Sequence, residues 1–163
     1  MDGLAWANHL ETLILGDNLF SGLDSFSIRN IKVLTTLELG ASFAANCSSF
    51  TLEELPNLRS ISLRKGALQK VPGLHLSNFP QLSSIRIEEL ALEHGEEFVA
   101  NNNPELTSIE IGDSCFRKGK AFLLTNINKL STLLVGSLGA SQEATSFSEV
   151  QNLAIQGDYH VEE

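Results

Sequence analysis

The chain has 163 residues, 42% of them hydrophobic and 19% charged, the composition of a folded domain with its own core and not of a disordered segment. Eleven basic against twenty acidic side chains give a formal charge of −9, so the chain repels phosphate backbones and nucleic acid is not an expected partner. No apolar run approaches the roughly 18 residues that a membrane-spanning helix needs, and membrane insertion is not expected either.

Residues 1–9, MDGLAWANH, have neither the basic n-region nor the apolar h-region of a secretory leader. They read as a partial N-terminal cap, with Leu4 and Trp6 over the first apolar layer. The expected location is the cytoplasm by default, or the cell surface for a fragment of a longer chain. Two cysteines, Cys47 and Cys115, are too few for a disulfide framework and are expected as free thiols.

From Leu10 onward the chain repeats. Leu10, Leu34, Leu58, Leu82, Leu106 and Leu130 lie 24 residues apart without an insertion. Three positions later come Leu13, Leu37, Ile61, Ile85, Ile109 and Leu133. Two further on come Leu15, Leu39, Leu63, Ile87, Ile111 and Val135. All these positions are aliphatic, and the last two alternate with a variable one, the period of a strand with one buried face.

The second half of the unit repeats as well. Phe26, Phe50, Leu74, Phe98 and Phe122 form one column, and Ile28, Leu52, Leu76, Ala100 and Leu124 another two residues on. This alternation predicts extended chain on the second face too, as short strands or 3₁₀ segments, with few helices. Ile31, Leu55, Phe79, Asn103 and Ile127 follow, with Asn103 as the one polar break. Asn30, Asn78, Asn102 and Asn126 share a further column, interrupted by Glu54, and are expected to satisfy turn backbone groups of their own and the next unit. Pro56, Pro80 and Pro104 fix the turn that follows.

The pattern FxLxNLPxLxSIxIGxxxF resembles the BspA-like branch of leucine-rich-repeat proteins, common on microbial and protist surfaces. The resemblance covers about Leu10 to Ile155. It implies a leucine-rich-repeat solenoid, repeat α/β or mainly β, over residues 10–157: six 24-residue repeats and a partial seventh, with parallel strands on the main face. The asparagine of the best-known animal pattern is absent from its usual column, which here reads Asn18, Ser42, Gly66, Leu90, Ser114 and Leu138. The resemblance implies membership of a binding family without naming a ligand.

Near the end the register slips: Phe147 comes one residue later than its column predicts. The run FSEVQNLAIQGD reads as the second half of one unit merged with the strand of the next. Residues 158–163 are expected to form an acidic tail. No dedicated cap covers either end, which opens end-to-end self-association as a second role.

Function is expected on the outward positions of the main strands, because the inward ones are committed to the core. One outward column reads Thr12, Thr36, Ser60, Ser84, Ser108 and Thr132. The next reads Ile14, Glu38, Ser62, Arg86, Glu110 and Leu134, and a third Gly16, Gly40, Arg64, Glu88, Gly112 and Gly136. The hydroxyl column has two readings: a polar binding surface, or hydrogen bonds between closely spaced strands. The candidate partner-binding residues are Thr36, Glu38, Ser60, Ser62, Ser84, Arg86, Ser108 and Glu110, with Arg86 and Glu38 foremost. Arg64 and Lys65 are expected beside Glu88 and Glu89 of the next unit, and Arg86 beside Glu110. Glu88, Glu89, Glu93, Glu96 and Glu97 have two readings, a solvated acidic loop or a surface that attracts a basic partner.

No HExxH, CxxC, GxSxG or phosphate-binding glycine loop occurs, and His9, His75, His94 and His160 fall in different columns. No catalytic residues, metal or cofactor are expected. The reading is a non-catalytic scaffold that binds a protein partner through its outward strand face, the alternative being an adhesin-like or self-stacking segment of a longer surface protein.

Overall fold

The computed structural model describes residues 8–136, 146–147 and 150–156. The cap expected at 1–9 and the tail at 158–163 lie outside the described residues, apart from residues 8 and 9, as does Leu138. Strands alternate between two faces. The front strands are β1 (Thr12–Leu15), β3 (Thr36–Leu39), β5 (Ser60–Leu63), β7 (Ser84–Ile87), β9 (Ser108–Ile111) and β11 (Thr132–Val135). The back strands are β2 (Ser25–Arg29), β4 (Ser49–Glu53), β6 (Gly73–Ser77), β8 (Glu97–Asn101), β10 (Ala121–Thr125) and β12 (Asn152–Gln156). A front strand and the back strand after it make one turn of the coil, and no described residue is helical. The fold is a mainly β solenoid of stacked parallel strands.

The front sheet is continuous, β1-β3-β5-β7-β9-β11, with partners 24 residues apart as in Leu37↔Ile61 and Ile61↔Ile85. The aliphatic columns face inward: Leu34, Leu58, Leu82 and Leu106 are fully buried. Each turn supplies one layer of the core, and a single turn has nothing to bury its layer against, so stability comes from stacking.

Corners are made by three columns of residues with positive φ. Asn18, Ser42, Gly66, Leu90 and Ser114 form the first, Phe20, Ala44, Leu68, Leu92 and Phe116 the second, and Asn30, Glu54, Asn78, Asn102 and Asn126 the third. The left-handed conformation costs an L-residue roughly 1–2 kcal/mol. Here it rotates the amide onto the stacking axis, where it meets a neighbouring turn: Ser42 N donates to Lys65 O (2.9 Å), Leu68 N to Phe43 O (2.9 Å) and Asn102 N to Thr125 O (3.0 Å). The asparagine column is therefore a backbone requirement more than a side-chain ladder. Glu54 adopts the same φ, and the side-chain bond within the column is Asn102 Nδ2 to Asn78 Oδ1 at 2.6 Å. The expected side-chain service to the turn falls instead to Asn103. It is fully buried, its Oδ1 accepts from Phe79 N (2.9 Å) and its Nδ2 donates to Leu76 O (2.8 Å).

The C-terminal slip has a different cause from the one expected. Strand β12 pairs with β10 in the register Phe122↔Leu153 and Leu124↔Ile155, so it is the back strand of the sixth turn. That offset is thirty-one residues, seven more than the repeat, and Phe147 shares it: its N donates to Phe116 O, its φ is 53°, and its ring stacks on Phe116 at 4.8 Å. Phe147 is thus a corner residue and not a member of the Phe122 column. The extra residues fall between the described residues 136 and 146. No front strand of a seventh turn occurs among the described residues.

Candidate functional site

The outward residues of β3, β5, β7 and β9 form a patch two columns wide. Register pairs Thr36, Ser60, Ser84 and Ser108 in one column and Glu38, Ser62, Arg86 and Glu110 in the next. All eight sequence-selected residues are therefore neighbours on one exposed sheet face.

The hydroxyl that ties turns together lies one position earlier than the hydroxyl column on the strands. Thr35 Oγ1 donates to Glu11 O (2.9 Å), Ser83 Oγ to Arg59 O (2.9 Å), Thr107 Oγ1 to Ser83 O (3.0 Å) and Ser131 Oγ to Thr107 O (3.1 Å). Each donates one turn back, to a carbonyl that already accepts a backbone amide. The hydroxyls of Thr36, Ser60, Ser62, Ser84 and Ser108 make no side-chain hydrogen bond among the described residues. They are half-buried and polar, and the scaffold does not use them.

Ion pairs run up the patch. Arg64 lies near enough to Glu88 to feel its charge, but its hydrogen bond runs back: Nε donates to Glu38 Oε1 at 2.6 Å. This hydrogen bond, with the attraction of the same carboxylate, raises the Arg64 guanidinium above its ordinary value. Lys65 reaches Glu89 (3.2 Å) and Arg86 reaches Glu110 (3.5 Å), both as expected, and Arg86 also approaches Glu88 at 3.8 Å. Arg86 is the more exposed partner of its pairs, at 63%.

The acidic group is not a free solvated loop. Glu93 pairs with Arg117 (3.1 Å), Glu96 with Lys120 (2.7 Å) and Glu97 with His75 (3.2 Å). The Lys120 hydrogen bond holds the Glu96 carboxyl below its usual range. Both cysteines are free and buried. Burial pushes the Cys115 thiol up to about 12. Among the described residues no group of three or more His, Cys, Asp and Glu is placed to hold a metal ion.

The back face carries a feature that the hydrophobic columns do not announce. Its strands split into two sheets, β2-β4 and β12-β10-β8-β6, so neighbours β4 and β6 do not pair. Between them opens a cleft of about 650 Å³, lined by both strands and by Val71, Pro72, Phe79 and Glu96. A second hollow of about 630 Å³ shares Leu52, Glu53, Ser77 and Phe79 with it and continues toward Pro56 and Pro80. Pro72 is the one sequence signal that points here, because proline in a strand-initiating position removes a ladder donor.

Comparison with known protein families, curated proteins and solved structures finds no match for this chain.

Proposed function

We propose that the chain is a non-catalytic polypeptide-binding scaffold, a leucine-rich-repeat protein of the BspA-like type, that engages its partner with the outer face of the front sheet. One observation carries this reading. On the front face the hydroxyl bonds between turns are made by Thr35, Ser83, Thr107 and Ser131, which leaves the hydroxyls of Thr36, Ser60, Ser84 and Ser108 without a stacking role beside the charged column Glu38, Ser62, Arg86 and Glu110. A flat, rigid array of unused hydroxyls next to fixed charges suits backbone and side-chain groups of a protein partner. The charges set register and partner choice more than raw affinity.

The test is crosslinking of wild type beside the double variant Glu38→Arg, Arg86→Glu, with unfolding curves to show that the fold is intact. Loss of the wild-type crosslinks is expected. An unchanged set of partners removes this face from consideration.

A second reading, self-stacking into a longer surface structure, rests on the C-terminal end. There the inward-type residues Leu133, Val135, Leu153 and Ile155 are 40%, 40%, 66% and 58% exposed. Exposed apolar layers at a solenoid end favour contact with another layer. Light scattering over a concentration series decides it: a strict monomer at high concentration ends the self-stacking reading.

A further inference from the structure

We infer that the slot between β4 and β6 docks one extended, basic segment of a partner polypeptide, which completes the back sheet by pairing with both strand edges at once. This site lies on the face opposite the one assigned above and stands independently of it.

The gap is wider than one strand spacing. Paired strands lie about 4.8 Å apart, whereas the Cα atoms of β4 and β6 lie more than 8 Å apart over most of their length. The front strands β3 and β5 of the same two turns remain paired, and corner bonds such as Leu68 N to Phe43 O still join them. The slot is therefore a wedge, open on the back face and closed on the front.

Both walls present unused backbone groups. In a parallel ladder the N–H and C=O of one residue point to the same side, and successive residues alternate. Glu53 O accepts from Asn30 N on the β2 side, so Phe50 and Leu52 face the gap. Asn78 N donates to Asn101 O on the β8 side, so Gly73, His75 and Ser77 face the gap from the other wall.

The cause is Pro72. In its column, Ser48 N donates to Asp24 O (2.9 Å), Glu96 N to Pro72 O (2.6 Å) and Lys120 N to Glu96 O (2.6 Å). The bond from position 72 to Ser48 O cannot form, because proline has no N–H. Without that first rung the β4–β6 ladder does not close.

The lining names the guest. Val71, Leu74 and Phe79 supply an apolar floor, at 1%, 2% and 5% exposure. The main cleft is bordered by Glu53, Glu96 and Glu97 and by no lysine or arginine; Arg29 (3.5 Å) and Lys120 (2.7 Å) reach Glu53 and Glu96 from outside the lining and His75 lies 3.2 Å from Glu97, so a basic guest exchanges these half-exposed surface pairs for its own. Side chains of an extended guest alternate in direction, so apolar residues fit the floor and lysine or arginine the acidic rim. A second copy of this fold is too bulky, since any strand edge it offers belongs to a sheet backed by its own core, and the slot admits a single strand. The two walls run in the same direction, so the guest lies parallel to both or antiparallel to both. Such strand addition draws affinity from the main chain and selectivity from alternate side chains.

The test uses a synthetic six-residue peptide alternating valine and lysine. Its controls are the same peptide with alternate amides N-methylated and a valine–glutamate version. Saturable binding is expected for the first, weakened at least tenfold by N-methylation, by glutamate, and by Pro72→Ser, which restores the missing donor and lets the ladder close. Glu97→Lys should weaken the lysine peptide and favour the glutamate one, while Arg86→Glu on the front face should change neither. The proposal is overturned by the absence of saturable binding, by an N-methylated peptide that binds equally well, or by affinity indifferent to both Pro72→Ser and Glu97→Lys. It is also overturned by a dimer that Pro72→Ser dissolves, which would assign the edges to a second copy.

Discussion

Two alanine substitutions of the same chemical kind should have opposite effects here. Gly40 sits where the first and second turns meet. A Cβ on it would overlap the Gly16 carbonyl carbon and lie 2.6 Å from Asp17 N and Asp17 Oδ1. Two of these atoms are backbone, and the third already accepts a hydrogen bond from Ala41 N at 2.7 Å. Relief requires the first turn to shift against the second and stretches Gly40 N to Leu15 O and Asn18 N to Ala41 O, both 2.7 Å. Overpacking of this kind costs about 1–3 kcal/mol, and weakening the Asp17 bond adds about 1 kcal/mol. Gly40→Ala should therefore lose about 3 kcal/mol. Gly22→Ala meets nothing within 4 Å and needs no positive φ, so it should gain about 0.4–1 kcal/mol by restricting the unfolded chain. Because a stack couples only neighbouring turns, the loss in Gly40→Ala should concentrate at the first turn. Hydrogen exchange of the β1 and β3 amides should accelerate about a hundredfold, and the urea midpoint should fall by about 1–2 M. A Gly40→Ala protein within about 0.5 kcal/mol of wild type, or a Gly22→Ala protein that is equally damaged, refutes the reasoning.

Leu82 is fully buried, so Leu82→Asp places an unpaired charge in the middle of the stack and should abolish the cooperative unfolding transition; a wild-type melting curve would contradict the layered core. Cys115, with its thiol pushed from 9.0 to about 12 by burial, should resist iodoacetamide at pH 8 in the native state and react in urea. Because the raised value favours the protonated thiol in the folded state, its stabilisation is whole below pH 9 and is lost as pH rises toward 12. The stability difference between wild type and Cys115→Ala should therefore shrink over that window by an amount on the order of 4 kcal/mol. Asn102 has φ 54° and bonds Asn78. Asn102→Ala should cost about 1–2 kcal/mol, and Asn102→Gly under about 1 kcal/mol, because glycine keeps the left-handed conformation at no steric cost; equal losses in urea titration would show that φ is not what selects the asparagine.

The period, the two strand faces and the inward columns were legible because each turn must present the same layer to its neighbours; Leu10 to Leu130 and Phe26 to Phe122 repeat for that reason. Position along the stacking axis was not legible. A residue in a column has a neighbour one turn ahead and one behind, and the rotamer chooses, which is why the Arg64 hydrogen bond runs back to Glu38 and not forward to Glu88. The asparagine column was visible as a column, but its cause is a backbone angle that Glu54 also adopts. The hydroxyl question turned on a single position: Thr35, Ser83, Thr107 and Ser131 point along the axis, whereas Thr36 and its column point out of the sheet. Phe147 was misplaced because an aromatic suits both the back strand and the corner, and the seven-residue lengthening hides which one it fills. Pro72 escaped notice because the columns record side-chain apolarity, and what matters at that position is a missing N–H.

The break at Pro72 also predicts where the stack is weakest. Nearest-neighbour coupling makes a solenoid only as cohesive as its poorest boundary. Between the third and fourth turns both faces are bonded, β5 to β7 in front and β6 to β8 behind. Between the second and third turns the front ladder β3–β5 and the corners must hold alone. Each absent backbone hydrogen bond forgoes about 1 kcal/mol, so opening at this boundary should require several kcal/mol less than opening at the next. The amides that bond β3 to β5 should therefore exchange at least tenfold faster than those that bond β5 to β7, although both sets lie in one regular sheet. Pro72→Ser should erase the difference by closing the back ladder, and so should a strand bound in the slot. Equal protection in the wild-type protein would mean that the front sheet and corners suffice by themselves, and that the gap is a local omission with no bearing on how the turns cohere.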